Sequence, residues 1–323
     1  MSKFTVVGDI HCKLENLDKV KLLFEIIESL GNPTILLGDL LDTKDLVRAR
    51  CLNLYYECFS KSKLEFTVLV GNHDLINIDR KDHALTPLCA LKNVTIVDEP
   101  YISTNYLFLP YNKSLSELSE SVIHAKESEI KFIFGHLDIQ NFNYGNGIIS
   151  QEGFKLEDFK GFKRVLLGHY HCFQTKDNLT YLGTPFSHSF GESDQTKYIG
   201  ILDIEINQLE LLETPFPKHR TFEINCDAVT PNSLEFKDLM ENSFKINMND
   251  YNRIILSGSS YNISQVQRQA GIKYIEKPTI SKVQKFNIDE TLTHEQQFRK
   301  WSELIKKYDG KTLELGMEIL KNV

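Results

Sequence analysis

The strongest chemical signal in the sequence is the tetrapeptide Gly71-Asn72-His73-Asp74, which follows an apolar run at residues 66–70. A run of this length that is rich in β-branched residues predicts a buried strand, so the four polar residues lie at its carboxyl end. In open α/β sheets, ligands bind at that edge. A given tetrapeptide arises by chance about once in 10⁵ positions. This motif therefore carries more weight than any shorter one in the chain.

Four further apolar runs end in polar residues of the same types. They are residues 4–7 before Asp9 and His11, residues 35–37 before Asp39, residues 132–134 before His136, and residues 165–167 before His169 and His171. Oxygen and imidazole ligands without a thiolate suit Mn²⁺, Fe²⁺ or Zn²⁺. Seven such residues exceed the needs of one ion. We therefore expect two metal ions about 3.5–4 Å apart, bridged by one carboxylate.

Each of these residues alone has a simpler interpretation. Asp39 by itself could be a helix N-cap, and His136 by itself could be an ordinary polar residue at a strand end. Capping does not explain the histidines and the asparagine at the other strand ends. The joint pattern therefore favours the metal site.

The segments between the strand ends predict the crossover helices of a parallel sheet. Apolar residues recur at helical spacing over 14–30 and again over about 45–60, so the chain begins strand, helix, strand, helix, strand. Short strands are predicted at 94–97 and 106–109, a helix at 114–128, and a Gly/Asn-rich loop over the site at 138–152. Strands at 198–206 and 208–213 are predicted to form a hairpin that closes a second sheet.

A Thr-Pro-Phe-Pro-Lys stretch at 214–218 predicts a linker between domains. We expect a catalytic domain at 1–214, a small mixed α/β domain at 218–288, and two terminal helices at 289–323. In the small domain, strands are predicted at 221–224, 253–256 and 273–276, and helices at 233–240 and 264–269.

Composition and charge limit the class of protein. The 323 residues are 41% hydrophobic and 25% charged, as in an ordinary globular protein. No segment approaches the roughly 20 apolar residues of a membrane span, and the first strand leaves no room for a signal peptide. Six scattered cysteines without C-x-x-C spacing indicate neither a zinc knuckle nor a disulfide framework. We expect a cytoplasmic protein with no membrane association.

The net charge of −7 counts mildly against indiscriminate binding of nucleic acid, because phosphate contacts need Lys and Arg. Bound divalent cations would offset the carboxylates where a phosphate approaches. The acidity is therefore a caution rather than an exclusion.

In their order and their positions at strand ends, the motifs Asp-x-His, Gly-Asp, Gly-Asn-His-Asp, Gly-His and Gly-His-x-His resemble those of the calcineurin-type metallophosphoesterase superfamily. The resemblance implies an α/β (α+β) fold, a two-sheet sandwich flanked by helices, with a small capping domain and terminal helices. It implies two divalent ions, Mn²⁺ first and Mg²⁺ as the alternative. It assigns Asp9, His11 and His171 to one ion, Asn72, His136 and His169 to the other, and Asp39 to both.

The same resemblance implies catalytic roles for the last two residues of the tetrapeptide. His73 would orient the phosphate and protonate the leaving oxygen, and Asp74 would orient His73. The reaction implied is phosphodiester hydrolysis, in which hydroxide activated by two metal ions attacks phosphorus in line with the departing oxygen.

A finer resemblance is to the nuclease subunit of the SbcCD type, which works with a coiled-coil ATPase in double-strand-break repair and recombination. It rests on residues 38–42, the Gly/Asn-rich loop after His136, and residues 181–186 with Gly191-Glu192 downstream, and it covers about residues 1–206. Phage-encoded members are the most similar, which would place the protein in the host cytoplasm.

This resemblance implies a Mn²⁺-dependent DNA exonuclease or endonuclease and an SbcC-like ATPase that docks on the terminal helices. It also implies a capping domain that binds DNA and a homodimer through the helix region at 44–61. The chain has no G-x-x-x-x-G-K-[ST] loop, so ATP dependence must come from a partner.

Two other functions stay open. A small-substrate phosphodiesterase or protein phosphatase could use the same fold, but Asp42 is followed by Thr43-Lys44 where such phosphatases usually have Arg-Gly, which weakens that interpretation. A catalytically silent DNA-binding subunit would require lost ligands, and none is missing.

Five residues are candidates for DNA contacts. Phe142 and Tyr144 could stack on an exposed base, Lys163 and Arg164 could line a phosphate groove, and His188 could contact the substrate. Charges at such spacing usually belong to a solvated surface, and a loop histidine is usually packed or solvated. These five assignments rest on composition alone.

Overall fold

The structure is a computed structural model that describes residues 3–43, 46–77, 82–112, 114–145 and 147–279, together with residue 296. Its helices are α1 (Leu17–Leu30), α2 (Ala49–Lys61), α3 (Leu115–Glu127), α4 (Leu234–Asp238) and α5 (Ser260–Ser264). Short 3-10 helices lie at Leu14–Asn16, Thr86–Ala90, Leu156–Phe159 and Phe190–Glu192, and a π-helical turn lies at Leu239–Ser243. Apart from residue 296, the predicted terminal helices lie outside the described residues.

Two six-stranded sheets dominate the fold. The first has the order β14 (Gln208–Glu213), β13 (Tyr198–Asp203), β1 (Lys3–Val7), β2 (Thr34–Leu36), β3 (Phe66–Leu69), β6 (Val94–Val97). The second has the order β11 (Gln174–Lys176), β12 (Leu179–Tyr181), β10 (Arg164–Gly168), β9 (Phe132–His136), β8 (Tyr106–Leu109), β7 (Tyr101–Ile102). β4 (Leu75–Asn77) and β5 (Asp82–His83) form a two-stranded ribbon, and β15 (His219–Asn225), β16 (Tyr251–Gly258) and β17 (Ile272–Pro278) form a third sheet.

Parallel pairing fixes where the strands end. β1, β2, β3 and β6 pair in parallel, as do β8, β9, β10 and β12. Because parallel strands end at the same edge, the loops after β1, β2 and β3 lie together, and so do those after β9 and β10. This arrangement is the two-sheet α/β sandwich expected from the sequence.

The hairpin of β13 and β14 corrects one expectation. It extends the first sheet, where β13 runs antiparallel to β1 with Phe4 opposite Leu202, instead of closing the second. Leu202 is fully buried in the apolar layer that also holds Val6 of β1. The apolar face of β13 is therefore buried when β13 pairs with β1. The second sheet is completed by β12 and β11 instead.

Three apolar layers hold the sandwich together. The middle one takes side chains from both sheets, for example Val6 and Leu37 from the first and Phe134 and Leu166 from the second. The outer layers pack α1 and α2 on the first sheet and α3 on the second. Adjacent residues of a strand point to opposite faces, so Val7 lies in an outer layer while Val6 lies in the middle.

The helices follow local signals in the sequence. α1 buries Val20, Leu23 and Ile27 at helical spacing and ends at Gly31, which has a left-handed backbone (φ 68°) suited to glycine. In α3 the hydroxyl of Ser114 accepts a hydrogen bond from the N–H of Glu117, as an N-cap does.

Two helices begin at residues other than those predicted from the sequence. α2 begins at Ala49 rather than near residue 45, and Leu46 is 57% exposed instead of belonging to its apolar face. α5 precedes the predicted 264–269, because the Ser259 hydroxyl accepts from the N–H of Asn262 and so starts the helix there.

The chain divides into two compact units. The first comprises Met1–Thr221 and Ile246–Arg253, and the second Phe222–Lys245 and Ile254–Val323. Among the described residues of both units, no helix has the length and apolar character needed to cross a bilayer.

Candidate metal centre

The seven predicted ligands lie at or just after the ends of five parallel strands. Asp9 and His11 follow β1, Asp39 follows β2, Asn72 follows β3, His136 ends β9, and His169 and His171 follow β10. We call Asp9, His11 and His171 the first donor group, and Asn72, His136 and His169 the second. In the first group, one ligand atom from each residue lies within 4.8 Å of the others, and the same holds for Asp39, His136 and His169.

The loops hold these residues in conformations that cost free energy. His11, Asp39 and His169 have positive φ angles of 45°, 50° and 94°, which non-glycine residues adopt rarely. Each such residue costs about 1–3 kcal/mol, and this strain is typical of functional sites. Two glycines leave room for this packing: a Cβ on Gly168 would lie 2.5 Å from Oδ1 of Asp9, and one on Gly71 would lie 2.2 Å from the backbone N of Asp39.

The first donor group joins two imidazoles and a carboxylate. Nε2 of His11 lies 3.0 Å from Nε2 of His171. The other ring nitrogen of His171 donates to Oε1 of Glu192, 3.1 Å away, so its Nε2 carries a lone pair that faces His11. Asp9 is fully buried, and its Oδ2 accepts a hydrogen bond of 2.8 Å from the backbone N–H of His169.

The second donor group is arranged in the same way around Asn72. Nδ1 of His136 donates to the carbonyl of Leu37 at 2.8 Å, which turns its Nε2 toward Oδ1 of Asn72, 3.0 Å away. Nε2 of His169 donates to Oδ1 of Asp138 at 3.0 Å, and its Nδ1 lies 2.9 Å from the same Asn72 oxygen. Lone pairs of imidazole and amide therefore converge on one point.

Asp39 lies between the two groups. Its Oδ2 is 3.6 Å from Nε2 of His11 and 3.4 Å from Nε2 of His136. Its Oδ1 accepts a hydrogen bond of 2.7 Å from the backbone N–H of His73. A carboxylate held in this way has one oxygen available to both groups, as a bridging ligand requires.

The electrostatic potential of the buried carboxylates in the cluster favours the binding of a cation. Burial opposes a charge on His136, but the carboxylates of Asp39 and Asp9 outweigh it and raise the pKa of His136 to about 9. Burial alone dominates at His11 and lowers its pKa to about 3. A divalent cation supplies charge to the carboxylates and accepts the lone pairs, and ligating histidines elsewhere commonly donate their second N–H to a carboxylate or carbonyl. The donor set thus fits two hard or borderline cations.

His73 lies beside the first donor group, and one of its ring nitrogens lies within 4.8 Å of ligand atoms of His11 and Asp39. Its ring centroid is 4.7 Å from that of His11 and perpendicular to it. Its Nδ1 lies 2.8 Å from the carbonyl oxygen of Asp42. Since a carbonyl only accepts, Nδ1 carries the hydrogen and Nε2 lies on the opposite side of the ring.

Asp74 does not orient His73, in contrast to the sequence expectation. Its buried carboxylate accepts hydrogen bonds from the backbone N–H groups of Leu40, Leu41 and Gly71. Burial, followed by the charge of Asp39, raises the pKa of Asp74 to about 7. Asp74 therefore ties the loop after β2 to the loop after β3, and the carbonyl of Asp42 holds the His73 ring.

Sequence reasoning gave no role to three side chains that support the ligands. Asp138 orients His169, and Glu192 orients His171 while forming an ion pair of 2.8 Å with the buried Lys197. The only sequence signal for Asp138 is a carboxylate two residues after a histidine at a strand end. Glu192 is 21 residues from His171, so no local spacing connects them.

The five candidates for DNA contacts are dispersed. Phe142 is 1% exposed and packs edge to face against Tyr181, which leaves no ring face for a base and argues against the predicted stacking. Lys163 and Arg164 lie at the start of β10, the opposite end from His169, so they cannot line a groove at the metal centre. The Arg164 guanidinium instead donates to Asn207.

The other two candidates lie nearer the cluster. Tyr144 is partly exposed and contacts the ring of Tyr170. The His188 ring centroid is 5.5 Å from that of His11.

Comparison with known proteins agrees with this geometry. Residues 2–173 match the family described as Calcineurin-like phosphoesterase. The chain belongs to this family. The match covers the strand-end motifs from Asp9 to His171, and the protein is a metal-dependent phosphoesterase.

Two relatives carry names of nucleases. Exonuclease subunit 1 of Enterobacteria phage T4 is 23% identical over 242 residues, which cover 71% of this chain and 69% of the relative. The SbcD nuclease of Staphylococcus epidermidis is 28% identical over 158 residues, 46% of this chain and 40% of the relative. Among solved structures, an archaeal phosphodiesterase is similar with a TM-score of 0.37 and 16% identity, over 65% of this chain and 99% of that one.

Proposed function

We propose that this protein is a Mn²⁺-dependent nuclease that hydrolyses phosphodiester bonds of DNA, as an exonuclease or endonuclease. The observation that carries the proposal is the cluster itself: two donor groups share Asp39, and His73 lies beside them with one ring nitrogen held by a carbonyl. The names of the two relatives, an exonuclease subunit and a nuclease subunit, support a nucleic acid as the substrate.

The side chains suggest how the work is divided. Two divalent ions, when bound, stabilise the negative charge that develops on the phosphate. Asp39 keeps the two donor groups at a fixed separation through its shared oxygen. His73 donates from Nδ1 to the Asp42 carbonyl, which directs Nε2 away from the backbone and toward a bound phosphate. In the imidazolium form, with a proton on each ring nitrogen, His73 transfers the Nε2 proton to the leaving oxygen and becomes neutral.

A partner and an assembly are part of the proposal. An SbcC-like coiled-coil ATPase would supply the ATP hydrolysis for which this chain has no phosphate-binding loop, in recombination and double-strand-break processing. The residues at 289–323 are the proposed docking segment, and 44–61 the proposed homodimer contact, where Leu46, Val47 and Tyr56 are exposed. We place the activity in the cytoplasm, that of the host if a phage encodes the protein, because all six cysteines are free thiols.

The test is hydrolysis of linear double-stranded DNA by the purified chain with Mn²⁺, beside a small chromogenic phosphodiester. His73→Ala should retain metal and DNA binding but lose cleavage by about 10²–10⁴-fold, the usual contribution of a positioned acid. His124→Ala is the matched control, since His124 is an exposed histidine on α3.

DNA cleavage that disappears in His73→Ala but not in His124→Ala would support the nuclease. Hydrolysis of the small ester with DNA left intact would contradict the nuclease and would support the alternative, a small-substrate phosphodiesterase or phosphatase. Normal cleavage by His73→Ala would remove His73 from the mechanism.

A further inference from the structure

A continuous row of aromatic rings and cations starts at the first donor group. The ring of His188 lies 5.5 Å from His11 and 5.0 Å from Phe186, centroid to centroid. The Nζ of Lys19, on α1, lies 5.5 Å from the ring of Phe186 and 4.9 Å from that of Tyr251. The row therefore leaves the metal centre through the loop after β12 and reaches the start of β16.

The row continues beyond Tyr251 to a second cation. His219 stacks on Tyr251 with centroids 4.7 Å apart and meets Phe190 edge to face at the same distance. The guanidinium carbon of Arg253 lies 4.6 Å from the centre of the Phe190 ring. Nη2 of Arg253 also donates to the hydroxyl of Thr221 at 2.9 Å. We call Lys19, Arg253 and the rings that hold them the cation track.

The cations of the track are held by rings rather than by carboxylates. Within the part of the chain that the structure describes, neither Lys19 nor Arg253 forms an ion pair. The neighbouring Arg220 differs, because it pairs with Asp194 and Asp250. Cation–π contacts orient a charge without neutralising it, so both cations of the track keep their charge for another partner.

The charged groups that act on Lys19 are Lys13 and Glu192, one of each sign. The Nζ of Lys13 lies 3.9 Å from Oδ1 of Asp42. Glu192, the carboxylate that faces the track, is already engaged by Lys197 and His171. Burial, followed by the charge of Lys13, lowers the pKa of Lys19. A cation that has no carboxylate in direct contact is stabilised by a bound anion.

A simpler explanation is that the aliphatic stem of Lys19 only covers apolar surface. That explanation does not account for Arg253, which is fixed by a ring and a hydroxyl at the other end of the same row. It also does not account for the start of the row at the metal centre, where a scissile phosphate has to lie.

We propose that the cation track binds the phosphodiester backbone of DNA on one side of the scissile bond, with Lys19 and Arg253 each contacting a phosphate. The proposal rests on the proposed nuclease function and specifies how its substrate is held. Contacts of this kind fix the position of the strand and carry no sequence information. Because the rings hold both cations in place beforehand, little side-chain entropy is lost on binding.

The test measures binding rather than cleavage. Fluorescence anisotropy gives the Kd of a labelled duplex whose phosphorothioate linkages resist hydrolysis, in Mn²⁺, between 50 and 200 mM salt. Each lysine or arginine that contacts a phosphate contributes about 1 to the slope of log K against log salt. Lys19→Gln and Arg253→Gln should each lower that slope by about 1, and the double variant by about 2.

Lys21→Gln is the matched control, because it removes the same charge two residues further along α1. Two residues turn a helix by roughly 200°, and Lys21 lies with Glu25 and Glu57 beside α2. Its slope should equal that of the wild type. Hydrolysis of the small chromogenic phosphodiester should be unchanged in all three single variants, since the track lies outside the metal cluster.

The outcomes separate this proposal from the nuclease proposal. Unchanged slopes for Lys19→Gln and Arg253→Gln, or an equal fall for Lys21→Gln, would overturn the track and leave the nuclease intact. Specific falls in slope in a protein that does not cleave DNA would support the track as a DNA-binding surface and contradict the nuclease.

Discussion

The two donor groups contain similar ligands but differ in what supports them. In the second group both imidazoles have a partner for the nitrogen turned away from the cluster, because His136 donates to the Leu37 carbonyl and His169 to Asp138. In the first group, His171 has such a partner in Glu192. Nδ1 of His11 is buried, has no hydrogen-bond partner among the described residues, and lies 3.9 Å from Oδ1 of Asp42.

The two groups also differ in the solvent exposure of their ligands and of the side chains that support them. The side chain of His171 is 34% exposed, whereas that of His136 is fully buried. The support of His171 is a buried ion pair, and that of His169 is a carboxylate that is 26% exposed. The second group is therefore fixed by a backbone carbonyl and a partly exposed carboxylate, while the first depends on a buried ion pair that also stabilises the fold. We expect the second group to bind its ion more tightly.

Asp39→Asn removes the one charge that both groups share, and we expect the largest effect there. Asparagine keeps the shape and can still accept from His73, so the loop should stay intact. Both ions should be lost on gel filtration, as measured by elemental analysis, and cleavage should fall by roughly 10³-fold or more. A variant that still carries two ions per chain would show that Asp39 is not the bridge.

Glu192→Gln should disturb both the first donor group and the fold. Lys197 is buried and would lose its ion-pair partner, so the free energy of unfolding should fall by about 3–5 kcal/mol. The affinity of the first group for its ion should fall by about 10–100-fold, because His171 loses a charged acceptor. Chemical denaturation and calorimetric titration with Mn²⁺ measure the two quantities.

The double variant Glu192→Gln/Lys197→Met separates these effects. Removing both charges of a buried pair often restores stability, but it returns no charged acceptor to His171. Recovery of stability without recovery of affinity would assign a positioning role to Glu192. Recovery of both together would reduce Glu192 to a structural residue.

Asp138→Asn should affect the second donor group alone. Burial opposes the charge on Asp138, but the hydrogen bond from His169 prevails and lowers the pKa of Asp138. Loss of that charge should weaken ion binding at the second group by about 10–100-fold. Asp138 is partly exposed, and its replacement leaves no buried lysine or arginine without an ion-pair partner. The free energy of unfolding should therefore change by less than about 1 kcal/mol. A loss of stability as large as that in Glu192→Gln would contradict the contrast between the groups.

Much of the sandwich could be predicted because its signals are local. Apolar runs followed by turn residues gave every strand that positions a candidate ligand, and helical spacing gave α1. The hairpin of β13 and β14 was assigned to the wrong sheet because strand pairing depends on which edge is free in space. The alternation of apolar residues along β13 is compatible with either sheet.

The candidate ligands could be predicted for the same reason, whereas their supports could not. Asp9, Asn72 and His136 each stand at a strand end, where the type of residue carries the information. Glu192 and Lys197 act through contacts between distant segments, and the hold on His73 comes from a backbone carbonyl, which has no sequence signature. Asp74 was misassigned because proximity in the chain to His73 suggested a contact that its three backbone hydrogen bonds preclude.

Tyr170→Phe should produce the smallest effect and test the chain of contacts behind the second group. The buried Tyr170 hydroxyl donates to Oδ1 of Asp138 at 3.0 Å. Its loss should lower the free energy of unfolding by about 0.5–1.5 kcal/mol, and it should weaken ion binding at the second group by less than tenfold, since Asp138 still accepts from His169.

Tyr181→Phe is the matched control for this last variant. Tyr181 stacks on Tyr170 with centroids 4.5 Å apart, and its buried hydroxyl donates to the carbonyl of Leu137 rather than to Asp138. Both variants should lose similar stability in denaturation, but only Tyr170→Phe should lose affinity for Mn²⁺ in a calorimetric titration. Equal affinities in the two variants would mean that Asp138 is held well enough by His169 alone, and the support of the second group would then end at that carboxylate.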